Sequence, residues 1–302
     1  MQPIHVPVMV DEVIEHLGYP PADAQLIDAT VGEGGHSAAL LQRYPALRIL
    51  AIDADAQMMA RARERLARYG ERVRFRHGWY DDVLRDEVDR GGGPGRAWAV
   101  LMDLGISMVH LRERGLGISF TEESPLDLRL DPSAGPDAAQ FIRSTPEGRL
   151  AELIHLYSDE RFTGRIARVL KDCVEQDPDV SAVEVAEAIR REVPPQFRNG
   201  RIHPATRTFQ ALRIAVNDEF ARLERALGAA VELLRPSGTL VVISFHSGED
   251  RIVKHAFRRY SRECGHLLLT SKPVSPGDAE LRQNPAARSA HLRAIRRSGE
   301  AA

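Results

Sequence analysis

The feature that most constrains this chain is an alternation of short apolar runs with longer segments of helical periodicity. The runs AQLIDAT, LRILAIDAD, RVRFRHG, AWAVLMDLG and TLVVISF each predict a strand, and HLLLTSK and SAHLRAIR predict a final antiparallel pair. Strands that alternate with helices in this way favour a parallel sheet with helices on both faces. We therefore predict an α/β protein with a doubly wound, mostly parallel sheet and a final antiparallel strand.

The alternation stops after the fourth strand. From about residue 108 to 200, apolar residues recur at steps of three and four, and no segment predicts a strand. The rhythm returns with TRTFQALRIAVNDEFARLERALGAAVELL, which predicts one long helix before the fifth strand. We expect a discontinuous core, residues 1–107 and 202–302, with an all-helical domain inserted at residues 108–201.

Composition excludes several classes of protein. The 302-residue chain has no apolar run of about 18 residues, so no membrane-spanning helix is expected. Its first residues lack the basic segment of a signal peptide. Cys173 and Cys264 match no metal or redox spacing, so we expect a cytoplasmic protein without a bound metal. Because the net charge is −2, any nucleic-acid site must be a local basic patch.

The stretch DATVGEGGHS after the first strand predicts a loop that binds a nucleotide cofactor. A dinucleotide fingerprint requires a third glycine where this chain has Ser37. S-adenosylmethionine (SAM) instead needs a carboxylate and bare backbone, which Asp28, Gly32, Gly34 and Gly35 supply. The pattern favours SAM, but a nicotinamide or flavin nucleotide and a purely structural turn both stay open.

Two further positions fit a nucleotide. Asp53 ends the second strand about 20 residues after the loop begins, and in either cofactor class it would accept hydrogen bonds from ribose hydroxyls. The third strand ends in HGWY, so Trp79 or Tyr80 could stack on adenine. Packing of these rings between a helix and the sheet explains them equally well.

Longer motifs point to a particular family. In order they are HVPVMVDEV, DATVGEGGHS, DLGIS, SPLDLRLD, ERFTGRIAR, HPATRTFQALRIAVNDEF, VISFHSGEDRIVK and NPAARSAHLR. Together, over residues 5 to 296, they resemble the MraW family of bacterial 16S rRNA cytosine-N4 methyltransferases. The resemblance implies a SAM-dependent enzyme with a Rossmann-like core and an inserted helical domain. It implies N4 of a decoding-region (P-site) cytosine as acceptor and 16S rRNA in the 30S subunit as partner, with no membrane. It leaves a homodimer open.

The resemblance also assigns cofactor residues. Gly34, Gly35 and His36 match the family's SAM loop, and Asp53 matches its ribose-binding acid. Tyr80 matches an aromatic position, Asp103 matches a residue that contacts SAM, and His110 stands where a cofactor-contacting Gln is usual. The chain departs from the family at Ser107-Met108, at His110 and at Gly248, where Leu is usual.

Methyl transfer to cytosine N4 needs an acceptor for the amine proton, because the nitrogen lone pair is delocalised into the ring. Asp103 and Ser107 stand at the carboxyl end of strand four, the edge where doubly wound sheets place ligands. We expect Asp103 to hold SAM, with a second role facing the amine as the alternative.

Candidate substrate contacts lie further along the chain. Thr206, Gln210, Arg213 and Asn217 share one helical face, and the motif as a whole makes Arg207, Gln210, Arg213 and Asn217 the candidates. A solvated polar face is the alternative. His246, at the rim of strand five, is another candidate or a loop histidine with its own partners, and Ser247 with Asp250 predicts a capping box.

Basic side chains should meet the RNA backbone, since phosphate contacts supply most nucleic-acid affinity. The first choice is Arg161, Arg165 and Arg168, which the spacing places on one helical face; Arg251 and Lys254 could also meet phosphate. Two other functions stay open at this point. They are a nicotinamide-dependent oxidoreductase and a catalytically weak or inactive ribosome-assembly protein on the same fold.

Overall fold

The computed structural model describes residues 6–90, 95–105, 124–198 and 203–299. These residues divide into two compact units. The first contains residues 6–90, 95–105 and 220–299, and the second contains residues 124–198 and 203–219. Within the described ranges, no helix is long and apolar enough to cross a membrane.

The first unit is built on a seven-stranded sheet. Its strands are β1 (Gln25–Asp28), β2 (Arg48–Asp53), β3 (Val73–His77), β4 (Ala97–Asp103), β5 (Leu234–Ser244), β6 (Leu267–Leu268) and β7 (His291–Arg296). The spatial order is β3-β2-β1-β4-β5-β7-β6. The first five strands are parallel, β7 is antiparallel to β5, and β6 is antiparallel to β7. The predicted fold class is confirmed, including the antiparallel end.

Helices cover both faces of this sheet. They are α1 (Val10–Leu17), α2 (Gly35–Arg43), α3 (Ala56–Leu66), α4 (Tyr80–Arg90), α10 (Glu219–Leu233), α11 (Ser247–Cys264) and α12 (Asp278–Gln283). Because side chains alternate along a strand, neighbouring residues of β1 enter separate cores: Leu26 packs on one face and Ile27 on the other. Burial on both faces explains why these strands read as continuous apolar runs rather than alternating ones.

Strand β5 begins earlier than predicted. The sequence PSG reads as a turn, but hydrogen bonding to β4 already includes Leu234, and the register shifts between Ala97 and Ala99. Ser237 takes a left-handed φ of 63°, and a Cβ on Gly238 would lie 2.9 Å from the carbonyl oxygen of Arg235. Only glycine fits so close to backbone, so this segment is an irregular strand rather than a turn.

The second unit is helical throughout its described residues, apart from one isolated bridge between Pro125 and Ser181. Its helices are α5 (Ala138–Ser144), α6 (Glu147–Ser158), α7 (Thr163–Gln176), α8 (Ala182–Glu192) and α9 (Ala205–Asn217). Capping boxes start α5 at Asp137 and α8 at Ser181. The apolar faces of all five helices share one core.

The long helix predicted from residue 206 to 234 is wrong. Asp218 takes a left-handed φ of 51° and separates α9 from α10. Asp tolerates that conformation better than most side chains, since its short polar group bonds locally. The break matters for the domain boundary: α9 groups with the second unit, whereas the predicted boundary at residue 202 assigned this segment to the core.

Candidate functional site: three carboxyls at the rim of the sheet

Three aspartates end three adjacent strands. Asp28 is the last residue of β1, Asp53 of β2 and Asp103 of β4, and β1 lies between the other two. The carboxyl ends of parallel strands meet at one edge, so these residues stand together at one rim. The sequence placed each aspartate at a strand end, and the strand order makes them neighbours.

The glycine loop between β1 and α2 is held to the end of β2. Val31 N donates to the carbonyl of Ile52 at 2.8 Å, and Gly32 N donates to Asp53 Oδ2 at 2.8 Å. Gly34 has a φ of +78°, and a Cβ there would lie 3.1 Å from the Leu66 side chain. The backbone at Gly34 therefore needs glycine for both its conformation and its close packing.

Glu33 has a partner outside the loop. Its Oε1 lies 3.0 Å from Arg61 Nη1 in α3, and only 9% of the Glu33 side chain is exposed. The acid between the glycines thus ties the loop to the next helix. Sequence reasoning offered no role for it, because the partner lies 28 residues away.

Asp28 is a buried carboxyl that fastens α2 to β1. Its Oδ2 accepts a hydrogen bond from Ser37 Oγ at 2.6 Å, and Oδ1 accepts one from Thr30 N at 3.4 Å. Burial raises the pKa of Asp28 to about 6 despite both hydrogen bonds. Ser37, which replaces the third glycine of a dinucleotide fingerprint, therefore has a specific structural use.

Asp103 faces an unusual environment. Its Oδ2 lies 3.6 Å from His36 Nδ1, and its Oδ1 is buried with no hydrogen-bond partner among the described residues. Burial, together with the charges of Asp28 and Glu249, raises the pKa of Asp103 well above its ordinary value. The imidazole of His36 donates from Nε2 to the Val8 carbonyl at 2.8 Å, because a carbonyl can only accept. Attraction across the Nδ1–Oδ2 pair therefore requires a proton on one of these two atoms.

Helix α11 brings a fourth carboxyl towards this group. Glu249 is buried, and its Oε2 accepts hydrogen bonds from Phe245 N at 2.8 Å and His246 N at 3.3 Å. The capping box predicted for Ser247 and Asp250 is wrong by one residue. Residue 246 is extended and helical backbone begins at Ser247, so His246 is the N-cap, and its Nδ1 accepts from Glu249 N at 3.3 Å.

His246 is therefore held by its own helix start. Its Nε2 lies 3.2 Å from Glu249 Oε1, and its ring lies 5.8 Å from that of Phe220. A Cβ on Gly248 would come 2.5 Å from Phe220 Cζ. The glycine at a position where the family usually has Leu is thus matched to the Phe220 ring. The substrate contact of His246 stays a prediction.

Asp53 and the aromatic pair after β3 also meet at the rim. The second oxygen of Asp53, Oδ1, accepts from Asp55 N at 2.9 Å, and the Asp53 carbonyl accepts from Gly78 N at 2.9 Å. Tyr80 is half-buried at the start of α4. The guanidinium of Arg222 lies 4.4 Å above the Trp79 ring, so one face of that ring is covered.

The substrate candidates on α9 fall into two groups. Arg207 is exposed and Gln210 half-buried, whereas Arg213 and Asn217 are buried. Arg213 forms a two-pronged ion pair with Glu219, with Nε–Oε1 at 2.7 Å and Nη2–Oε2 at 2.9 Å. Substrate contact by Arg213 would require this buried pair to open, which is costly.

Asn217 fixes a turn inside the second unit. Its side chain donates to the Leu128 carbonyl at 2.8 Å and accepts from Leu130 N at 2.9 Å. These two bonds hold the backbone on either side of Arg129, where Leu128 has a left-handed φ of 63°. The geometry gives Asn217 a structural use that the helical spacing did not indicate.

The three arginines chosen for RNA contact are all exposed. Helix α7 begins at Thr163, so the helical-face argument holds for Arg165 and Arg168 but not for Arg161, which precedes the helix. Arg168 Nε lies 3.7 Å from Glu147 Oε1. Two other predicted residues, Ser107 and His110, lie outside the described residues.

The charge at the rim separates the two cofactor classes. Burial, and then the charges of Asp28 and Glu249, raise the pKa of Asp103, and one Asp103 oxygen has no partner in the described chain. A pyrophosphate would add negative charge beside two carboxyls, Asp28 and Asp103, whose pKa values burial already raises, whereas a sulfonium and an ammonium would favour the ionised form of these carboxyls. The site therefore fits SAM. Within the described ranges, the rim included, no three His, Cys, Asp or Glu side chains are grouped as metal ligands.

Fold and rim together define a class: a methyltransferase with a doubly wound core that receives a cationic nucleoside cofactor. The chain belongs to the MraW methylase family, whose model matches residues 2–298. The predictions of this family and of SAM as cofactor are confirmed.

Relatives are similar over nearly the whole chain. The Ribosomal RNA small subunit methyltransferase H of Treponema denticola is 42% identical, covering 98% of both chains. The protein of the same name from Sorangium cellulosum is 44% identical, covering 98% of this chain and 92% of the relative. A crystal structure of an rRNA methylase from Streptococcus thermophilus covers 96% of this chain and 93% of its own, at 10% identity and a TM-score of 0.44.

Proposed function

We propose that this protein transfers a methyl group from SAM to N4 of a P-site cytosine in the decoding region of 16S rRNA, within the small ribosomal subunit in the cytoplasm. The name of its relatives, small subunit rRNA methyltransferase H, supports the substrate class. The observation that carries the cofactor side is Asp103, whose buried oxygen without a partner in the described chain sits among like charges.

The residues that would hold the cofactor surround the rim. Asp53 would accept hydrogen bonds from the ribose hydroxyls, and Gly32, Gly34 and Gly35 would let the cofactor approach the backbone closely. Asp28, His36, Tyr80 and Asp103 complete the proposed set, to which the resemblance adds His110. SAM supplies an electrophilic methyl group whose leaving group is a neutral thioether.

The chain's own contribution is alignment and proton handling. The acceptor nitrogen must lie in line with the methyl carbon, and orientation of this kind can lower a barrier by several kcal/mol. As N4 bonds to the methyl group, it loses a proton. Asp103 can take that proton only once ionised, and a neighbouring cationic group favours its ionised form. The alternative proton partner is Ser107, four residues further along the chain.

The proposed substrate contacts are the candidates that the sequence predicts. They are Arg207, Gln210, Arg213, Asn217, His246, Arg161, Arg165 and Arg168. Exposure favours Arg207 and Gln210 on α9, because Arg213 and Asn217 are engaged within the second unit. The target base must leave its stack to reach the methyl donor.

The function is tested with methyl-labelled SAM and small subunits from a strain that lacks the gene. Mass spectrometry of the decoding-region fragment should find one added methyl group on the cytosine. A methyl group on another base would refute the proposed acceptor. Absence of label on RNA would favour an assembly protein that binds without catalysis.

The Asp103→Asn variant tests the role of the rim carboxyl. Removal of a charged hydrogen-bond partner costs about 1.5–3 kcal/mol, so SAM affinity measured by calorimetry should fall roughly ten- to hundredfold. Asp23→Asn, at a side chain that is 86% exposed, should leave that affinity unchanged. Retained SAM affinity with lost turnover would instead assign Asp103 to the amine proton.

A further inference from the structure

Helix α11 carries a one-sided concentration of positive charge. Arg251, His255, Arg258 and Arg262 follow steps of four, three and four, so they share one face, and all four are exposed. The opposite face buries Val253 and Phe257 against the core of the first unit. Burial fixes the rotation of the helix, so the cationic face must point outward.

This face lines a concave surface. A groove of about 930 Å³ lies along α11, bordered by α10 and β6, and Arg259 joins the four residues of the cationic face in its wall. Glu224 of α10 is the one acid among the described residues that line it. Arg251, Arg258 and Arg262 have no carboxylate within ion-pair distance in the described part of the chain. A solvated helix face usually alternates charges, and this one does not.

The groove lies along the helix that leaves the rim. Helix α11 starts three residues after β5 ends at Ser244, on the rim that holds the carboxyls, and Arg251 lies in its second turn. From Arg251 to Arg262 the helix rises about 16 Å at ~1.5 Å per residue. That length is enough for the helix to contact several successive phosphates of a nucleic-acid strand.

We propose that the α11 groove binds the backbone phosphates of the rRNA strand next to the target nucleotide, with Arg251, Arg258 and Arg262 as the main contacts. The proposal deepens the proposed function and rests on it for the identity of the RNA. A chain with a net charge of −2 can attract RNA only through local patches, and this patch begins in the second turn of the helix that starts at the rim.

The test uses an Arg251→Gln, Arg258→Gln, Arg262→Gln triple variant of the full chain. Gln has nearly the helix propensity of Arg, so α11 should stay folded. The matched control is the triple Arg43→Gln, Arg48→Gln, Arg96→Gln, which makes the same charge change. All three control arginines are exposed, and Arg48 and Arg96 lie where β2 and β4 begin, at the edge away from the rim.

Binding is measured by fluorescence anisotropy with a labelled single-stranded RNA of mixed sequence, between about 50 and 200 mM salt. Each phosphate contact to a single strand contributes about 0.7 to the salt slope, so three contacts contribute about 2. At about 0.15 M salt this corresponds to roughly fifty-fold weaker binding for the α11 variant. The control variant should bind within about twofold of the wild type, and calorimetry should give unchanged SAM affinity for both variants.

The proposal is overturned if the α11 variant keeps the affinity and salt slope of the wild type, or if the control loses as much. Binding of the wild type to phosphatidylglycerol vesicles but not to RNA would assign the groove to a membrane surface instead and also overturn it. Methylation of small subunits by the wild type is assayed separately. If the wild type does not methylate small subunits, but the α11 variant still binds RNA more weakly than the wild type, the proposed function is refuted and the groove remains an RNA site.

Discussion

Replacement of Asp28 by Asn should change how the stability of the first unit depends on pH. The carboxyl is buried, and its pKa is raised from 3.8 to about 6 chiefly by burial. Because the folded pKa lies above the unfolded one, the folded state binds the proton more tightly. Stability in the wild type therefore falls as pH rises from about 4 to about 6, and it stays lower above that range.

The size of the effect follows from the shift. A change from 3.8 to about 6 corresponds to about 3 kcal/mol at neutral pH, of which about 1.4 kcal/mol develops between pH 5 and 8. The asparagine side chain cannot ionise, so the variant lacks this term. The charge of Asp28 also contributes to the raised pKa of Asp103. Removing that charge lowers the cost of ionising Asp103, which further stabilises the variant relative to the wild type as pH rises.

The assay is urea unfolding without cofactor, followed by tryptophan fluorescence. Both tryptophans, Trp79 and Trp98, belong to the first unit, so the signal reports the unit that contains residue 28. The free energy of unfolding of Asp28→Asn minus that of the wild type should rise by about 1.4 kcal/mol between pH 5 and 8. A constant offset is expected in addition, because the hydrogen bond from Ser37 changes.

Asp23→Asn serves as the control, since its exposed carboxyl should give a flat difference across the same pH range. A flat or falling difference for Asp28→Asn would refute the reasoning. It would mean that Asp28 is ionised at little cost in the folded chain, and that no cationic ligand is needed to stabilise the ionised carboxyls of the rim.

Two further changes test contacts that the structure reveals. Asn217→Ala removes the hydrogen bonds to Leu128 and Leu130, so we expect the free energy of unfolding of the second unit to fall by about 3 kcal/mol. The loss is measured as a lower urea midpoint by far-UV circular dichroism. The tryptophan signal of the first unit serves as the internal reference. Gly248→Leu places a Cβ 2.5 Å from Phe220 and should lower the free energy of unfolding by about 1–3 kcal/mol. Adding Phe220→Ala to this variant should recover part of that loss. If the two substitutions have strictly additive effects on stability, the proposed clash is contradicted.

The sequence predicted the framework well for a physical reason. Parallel strands buried on both faces read as apolar runs, and their ends are marked by polar residues such as Asp28, Asp53 and Asp103. Both signals are local in the sequence, so strands and their ends can be predicted without knowing any tertiary contact. The antiparallel end formed by β6 and β7 was predicted from the same kind of evidence.

The errors have a common cause as well. Asp218 ends a helix that the neighbouring residues favour, and His246 rather than Ser247 is the N-cap of α11. Both features depend on backbone conformations that are determined by packing. Glu33 pairs with Arg61, 28 residues further along the chain, so no local pattern predicts its role. Helical spacing placed Arg213 on a binding face, but spacing cannot tell an exposed stripe from a buried one that has its own ion pair.

The charge of the rim carboxyls distinguishes between the cofactor classes that the glycine spacing leaves open. A glycine loop states only that backbone must come close to a ligand, which pyrophosphate and the methionine part of SAM both require. Asp28, Asp103 and Glu249 then act together: burial and mutual repulsion raise the pKa of Asp103, and one of its oxygens has no partner in the described chain. A cationic ligand lowers the cost of all three carboxylates at once, whereas an anionic one raises it. We therefore expect the strand ends and the start of α11, as well as the glycines, to determine which cofactor the loop binds.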